Sequence, residues 1–281
     1  MSNKLILEAF KKTLKEDAGT SPDDVHLMSQ LVDIISPGFP FITRDIVTFK
    51  DIPKGVNSVV VPIEGNLSTP GTMTAGAFAE QHFTLTYCTI TPDEPLGVNC
   101  VWDREYAEDA NWGAMEVHLK AAKRAMEQKL FETILAKFDS EVAGNTFAYS
   151  GSTLCYADLV NGRELLAAND YTMDYIIVSP VDFASLLIDE NIINSLYGVS
   201  QGANTGKISG VLGATIIEST LVDAGTVYFI DKRAVTVAIR RDLKLEEYSR
   251  PETNKYGFVL SSRYGLGSVL PECIAIAILG D

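Results

Sequence analysis

The order of helical and extended patterns predicts an α+β fold, and three observations carry that prediction. Short β-branched runs between Ile46 and Trp102 read as strands. A single apolar stripe at three- and four-residue steps then continues for roughly 30 residues, well beyond the usual length of a helix in a globular domain. The second half mixes strands and helices without the regular alternation that a doubly wound sheet would show. With 281 residues, 46% of them hydrophobic and 21% charged, the chain can bury one large core or two modest ones.

At the start of the chain Leu5, Ile6, Ala9, Phe10 and Leu14 fall at helical spacing with lysines opposite. Asp23 to Ile35 suits a second short helix, and Ser36-Pro37-Gly38-Phe39-Pro40 breaks the chain into an extended stretch. Residues 1–45 therefore read as an arm with one apolar face. That pattern is shared by a segment docked on a neighbour and a helix packed on its own domain. Two strand-like runs follow, Ser58 to Ile63 and His82 to Ile90. The piece between them, Glu64 to Glu80, offers only Leu67, Met73 and Phe78 as large apolar residues, so it is expected to project as a hairpin loop. From Gly55 to Trp102 there is no Lys or Arg, and Glu64, Glu80, Asp93 and Glu94 are the only charges.

The long helix is placed at about Glu105 to Phe138. Trp112, Met115, Leu119, Ala122, Met126, Leu130, Ile134 and Phe138 form its stripe. Glu105, Glu108 and Asp109 precede Lys120, Lys123, Arg124, Lys129 and Lys137, as the helix dipole favours. At 1.5 Å per residue such a helix spans about 50 Å and acts as a strut. Glu141 to Leu154, rich in Gly, Asn, Ser and Thr, reads as a linker to a second domain. Beyond it come a helix from Tyr156 to Asn169, a buried strand from Asp174 to Val178, and a helix from Val181 to Glu190 with Ser179 as N-cap and Pro180 first in the helix. A glycine-rich stretch, Gly198 to Gly210, precedes strands near Leu212 to Glu218, Thr226 to Asp231, Ala234 to Arg240, Tyr256 to Tyr264 and Glu272 to Leu279.

Several function classes are disfavoured by the same residues. A net charge of -14, from 23 basic and 37 acidic side chains, is the wrong sign for a protein that grips nucleic acid by neutralising phosphates. Cys88, Cys100, Cys155 and Cys273 lack metal-binding spacing and read as reduced, buried thiols. Met1 to Asp17 lacks the apolar core of a signal sequence, and no run reaches membrane-spanning length. Gly202 to Ser209 resembles a phosphate-cradling loop, but it is one residue short between its glycines and has Ile208 where a magnesium-binding hydroxyl would stand. His26, His82 and His118 are far apart, and none has a second ligand three or four residues on. No catalytic residue, cofactor site or metal site is assigned.

The second half carries a run of segments in a telling order. Tyr175-Ile176-Ile177-Val178-Ser179-Pro180-Val181-Asp182-Phe183 with Leu186-Leu187 is followed by Leu212 to Ser219, Ala224 to Asp231, Ile239 to Leu243, Ser262-Arg263-Tyr264-Gly265, and Val269 to Ala275. Together they resemble the major capsid proteins of tailed viruses with the Hong Kong 97-type fold, and more distantly the encapsulins. The resemblance implies an N-terminal arm (1–45), an extended loop and peripheral domain (46–149) with a spine helix near 105–138, an axial domain (150–240), and return strands of the peripheral domain (241–281). It also implies a protein that is not an enzyme and that self-assembles as hexamers and pentamers into an icosahedral shell around a double-stranded DNA genome. The virion is then its location and the host cytoplasm its place of assembly, with no membrane partner and no sequence-specific hold on DNA. Possible partners are separate scaffolding, portal and decoration proteins.

Some members weld subunits by an isopeptide bond from a lysine of the extended loop to an asparagine, helped by a glutamate. Asn254 matches the asparagine, but the loop lacks lysine and Ser261 and Ser262 stand where the glutamate would lie, so a non-covalent shell is expected. The expected subunit contacts join Glu64 and Glu80 of the acidic loop to Lys120, Lys123 and Arg124 of a neighbouring spine helix. An encapsulin-like shell around cargo protein is the alternative, with a monomeric enzyme or binding domain further behind.

Overall fold

A computed structural model describes residues 41–53, 55–63, 86–103, 113–142, 144–193 and 210–280. The expected helices before Phe41, the loop from Glu64 to Glu80, the start of the long helix and the glycine-rich stretch up to Ser209 lie outside the described residues. The described chain is mixed α and β, as expected. It divides into two units, one of residues before 45 with 93–131 and 239–264, the other of residues 45–92, 132–238 and 265–281.

The first unit is a helix laid on a sheet. Strand β4 (Glu94–Asp103) pairs antiparallel with β11 (Lys255–Ser268), from Lys255 opposite Asp103 to Tyr264 opposite Glu94. It forms the edge of a sheet in which β11 also pairs with β10 (Val235–Arg250); β1 (Thr48–Asp51) is a strand of the second unit. Burial alternates along β4, so Trp102, Cys100, Val98 and Leu96 share a face. On that face Trp102 packs on Phe258 of β11 at 5.1 Å and on His118 of the long helix α2 at 5.9 Å between ring centroids. On the other face the Tyr248 hydroxyl donates to Asn99 Oδ1 at 2.6 Å, its ring passing over Gly257, where a Cβ would meet it at 2.8 Å. Helix α1 (Phe41–Ile46) occupies the end of the expected arm, and Arg44 pairs with Asp242 at 3.1 Å.

Helix α2 is Gly113–Glu141, 29 residues, and it contributes residues to both units. Leu119, Ala122, Met126, Leu130, Ile134 and Phe138 are all buried, as the period requires, and Phe131 and Leu135 widen the stripe. Hydrophobic burial along one face, rather than local propensity, holds a helix of this length in water.

The second unit is organised by a six-stranded sheet of order β5-β12-β9-β6-β8-β7. These strands are β5 (Thr146–Ala148), β6 (Tyr175–Val178), β7 (Gly210–Val211), β8 (Ala214–Glu218), β9 (Thr226–Ile230) and β12 (Ile274–Ile278). Strand β6 is parallel to β8 and antiparallel to β9, and Ile176, Ile177 and Val178 are wholly buried. Its uninterrupted apolar run is the signature of a strand covered on both faces. Helices α3 (Tyr156–Ala167) and α4 (Pro180–Ile188) pack on it through Leu159, Leu166 and Leu186, and a short α5 (Glu190–Ile193) follows. Strand β2 (Val59–Ile63) and strand β3 (Thr86–Ile90) pair antiparallel, Val59 opposite Ile90 and Ile63 opposite Thr86. This ribbon seats Val61 and Ile90 on Ile52, Ala238 and Val269.

Four expectations need correction. The stretch from Glu141 to Leu154 is no free linker: it carries β5, parallel to β12, and Asn145 Nδ2 donates to the carbonyls of Glu272 and Ile274. The last strand, β12, pairs with β9 and so belongs to the six-stranded sheet rather than returning to the first-half strands. The strand beginning at Ala234 runs on to Arg250, because Leu243 and Leu245 keep a period of two among charged neighbours. Leu212 is a turn residue and not a strand residue. With Gly213 it makes a two-residue connection at φ 57° and 89°, the positive-φ turn whose twist suits a tight hairpin between β7 and β8.

One close approach in the second unit gives a signed test. A Cβ on Gly162 of α3 would come within 2.7 Å of the Phe229 ring, which is fully buried. In an exposed helix Gly→Ala stabilises by about 1 kcal/mol, whereas overpacking a tight core costs about 1–3 kcal/mol. Gly162→Ala is therefore expected to destabilise by about 1 kcal/mol, read by urea unfolding, and a gain in stability would contradict this packing.

Candidate assembly surfaces

Of the residues expected to make subunit contacts, the structure places three. Lys120 and Arg124 are exposed on α2, and Lys123 between them is half-buried with Nζ 4.0 Å from Glu127 Oε1 one turn on. Burial pushes the Glu127 carboxyl up, and the Lys123 ammonium draws it part of the way back. The three cations thus sit on a single turn of helix, a local positive surface on a chain of charge -14. Glu64 and Glu80 lie outside the described residues.

The ribbon offers a second surface. Residues directly opposite in a pair point to the same side, so Val60 with Thr89 and Pro62 with Tyr87 face away from the core that holds Val61 and Ile90. Val60 is 53% and Tyr87 54% exposed. A strand pair with an apolar side toward its own unit and a partly apolar side toward solvent is suited to lie on something else.

At the positions the resemblance relates to cross-linking, Asn254 is exposed and left-handed (φ 52°), the residue that closes the turn between β10 and β11. Ser262 is buried and donates to the Arg241 carbonyl at 3.0 Å, so it is a structural hydroxyl rather than a carboxylate base.

A set of carboxylates that the sequence reading left unassigned holds the ends of the six-stranded sheet. Asp158 Oδ1 accepts from the Ser150 amide at 2.7 Å and its hydroxyl at 2.6 Å, and Oδ2 from the Cys155 amide at 3.0 Å and thiol at 3.2 Å. The N-cap expected at Ser179 is present: its hydroxyl accepts from the Asp182 amide and donates to Asp182 Oδ2 at 2.7 Å, and that oxygen also accepts from the Gly225 amide at 2.9 Å. Asp231 takes the Arg233 amide, Nε and Nη2 together with the Thr172 hydroxyl. Asp139 of α2 accepts from the buried Tyr228 hydroxyl at 2.8 Å. The local signals for the first two were a Cys or Ser three residues before an Asp at a helix start, a relative of the capping box.

The remaining polar candidates are structural in their surroundings. His118 is exposed beside Trp102, on a surface depression of about 630 Å³ also lined by Cys100, Val101, Asp103 and Lys255. The four cysteines are free, but only Cys273 is fully buried, the other three being half-buried. Burial, with help from Asp231, pushes the Cys273 thiol to about 12, which keeps it protonated. Among the described residues no group of three or more His, Cys, Asp or Glu is placed to hold a metal ion, and no helix is long and apolar enough to cross a membrane.

A long helix laid on a sheet, a two-stranded ribbon with an exposed outer side and a second sheet with pinned loops are elements suited to a subunit of a protein shell. A family model described as phage capsid protein matches residues 99–277, more than half of the sequence, and the chain belongs to that family. Among solved structures, the capsid of the cyanophage P-SCSP1u is similar at 17% identity and TM-score 0.69, covering 87% of this chain and 89% of that one. Mycobacterium phage Che8 is similar at 16% identity and TM-score 0.62, covering 79% and 84%. A virus-like particle from Pyrococcus furiosus is similar at 16% and TM-score 0.57, covering 90% and 97%. A search by sequence among curated proteins finds no match. The fold is thus the Hong Kong 97-type capsid fold, and the protein is a shell subunit.

The buried carboxylates make a pH prediction. Burial pushes Asp158 and Asp231 up, but the donors from Ser150 and Cys155, and from Arg233 and Thr172, outweigh it and hold both below the ordinary 3.8. A folded value below the unfolded one means that the stabilisation is present above the ordinary value and is lost as pH falls through the folded value. Asp158→Asn should cost about 1.5–3 kcal/mol near neutral pH, with the difference from the parent shrinking in acid. Urea titrations at both pH values check this, and a difference that grows on acidification would contradict it.

Proposed function

We propose that this shell is icosahedral, built from hexamers and pentamers, and encloses the double-stranded DNA genome of a tailed virus. Non-covalent contacts hold it, because the extended loop has no lysine to contribute to a cross-link. Its assembly takes place in the host cytoplasm, with separate scaffolding, portal or decoration proteins as its partners. Residues 1–45 act as the arm, 46–149 as the extended loop and peripheral domain apart from β5, and 150–240 as the axial domain, whose sheet β5 and β12 complete. The acidic side of the loop, Glu64 and Glu80, lies across a neighbour and meets Lys120, Lys123 and Arg124.

The observation that supports this contact is the presence of three basic residues within one turn of α2 in a strongly acidic chain. Such a contact is screened by salt, the Debye length at physiological ionic strength being about 8 Å, so assembly should slow as salt rises. The alternative is an encapsulin-like shell around cargo protein. Electron microscopy of native particles separates the two, since tailed, DNA-filled heads exclude a protein-filled compartment.

Reversal of the exposed Lys120 and Arg124 to Glu should leave the subunit folded, each change being worth about 0.5 kcal/mol or less, while abolishing closed shells. Combination with Glu64→Lys and Glu80→Lys should restore them. Gel filtration and microscopy give the readout, and normal particles from either charge-reversed variant alone would refute the contact.

A further inference from the structure

We infer that Gly265 and Gly267 form a seat at the end of β11 that fixes the direction in which the β2–β3 ribbon leaves its unit, and that they are positioning residues for shell assembly. The inference rests on the reading of the ribbon as an assembly element. All the atoms involved belong to one unit.

The geometry is unusually tight at two alternate positions of one strand, which point to the same face. A Cβ on Gly265 would lie 2.2 Å from the Thr91 carbonyl oxygen, 2.8 Å from its carbon and 3.0 Å from Pro92 Cα. Those are backbone atoms of the turn that leaves the ribbon, and they can yield only if the ribbon moves. A Cβ on Gly267 would lie 2.4 Å from Ile90 Cγ1, 2.6 Å from Cδ1 and 3.1 Å from Cys88 Sγ. Ile90 is 1% exposed and β-branched, so it has little rotameric freedom to retreat. The two glycines therefore let the backbone of β11 pass flush under β3, and the apolar floor of Ile52, Val61, Ala238 and Val269 closes the joint. On the opposite side of the ribbon, Val60 at the joint and Tyr87 just past it are exposed. A tilt at this base redirects the exposed side of both strands, Val60 and Tyr87 with it, and a lattice of identical subunits needs that side to face one way.

The test has one readout that does not require assembly. Nitroxide labels carried by genetically encoded keto residues at Val60 and Ile278, both exposed, report the distance between ribbon and sheet in the unassembled subunit. The parent should give one narrow distribution, and Gly267→Ala a shifted or broadened one. Gly280→Ala, whose added methyl meets nothing closer than 3.9 Å, should match the parent. Gly267→Ala/Ile90→Ala, which makes room for the methyl, should move back toward the parent. In parallel, electron microscopy of assembled material should show loss of uniform closed particles for Gly267→Ala alone. If that variant does not fold, Ile90→Val serves instead: it adds no atom, loosens the same joint and should broaden both distributions.

An unchanged label distance in the folded seat variant overturns the seat, whatever happens to the shells. A shifted distance with uniform, parent-sized particles overturns its role in assembly while leaving the shell reading intact.

Discussion

Strands β6 and β9 are buried on both faces, and that burial sets the terms for everything around them. A doubly covered strand must hand its chain to loops whose backbone amides are also close to the interior, and each unpaired amide there costs more than the hydrogen bond it lacks. Asp158, Asp182 and Asp231 meet that demand, each gathering donors from two or more residues. The result is a sheet whose turns are held by charge-assisted bonds rather than by length or flexibility. Within the same unit, Asp139 gives the end of α2 a polar tie to Tyr228 of β9, beside the ring contact of Phe138 with Tyr228 at 6.2 Å.

The assembly surfaces draw on a different economy. The outward side of the ribbon is no part of the core of the subunit that carries it. Lys120, Arg124, Val60 and Tyr87 are exposed, and the core beneath is complete without them. Units with exposed, mixed-character surfaces suit a protein that assembles with copies of itself.

Much of this architecture was legible in the sequence where a single period dominates. The stripe of α2 emerged because Leu119 to Phe138 keep helical spacing without interruption, and the cap of α4 because Ser179-Pro180 is a local signal. Strand β4 was hidden by Gly97 and Asn99, which are poor strand formers, and by Pro95, which a ladder tolerates at its edge, where β4 lies. The seat of the ribbon and the anchoring role of Asp182 were not legible, because they depend on Gly265 meeting Thr91 and on Gly225 meeting Asp182 across long stretches of chain. The basic turn of α2 was readable from spacing alone, whereas the half-burial of Lys123 and its approach to Glu127 needed the packed helix.

The brevity of the outer strands has a further meaning. The six-stranded sheet ends in β5 and β7, of three and two residues, and the outer strand β4 of the other sheet opens with Glu94-Pro95 and closes at Asp103. Long bare sheet margins recruit strands from any neighbour and lead to aggregates. Margins of three and two residues on one sheet, and a margin interrupted by a proline on the other, make strand recruitment a poor competitor of ordered growth between copies.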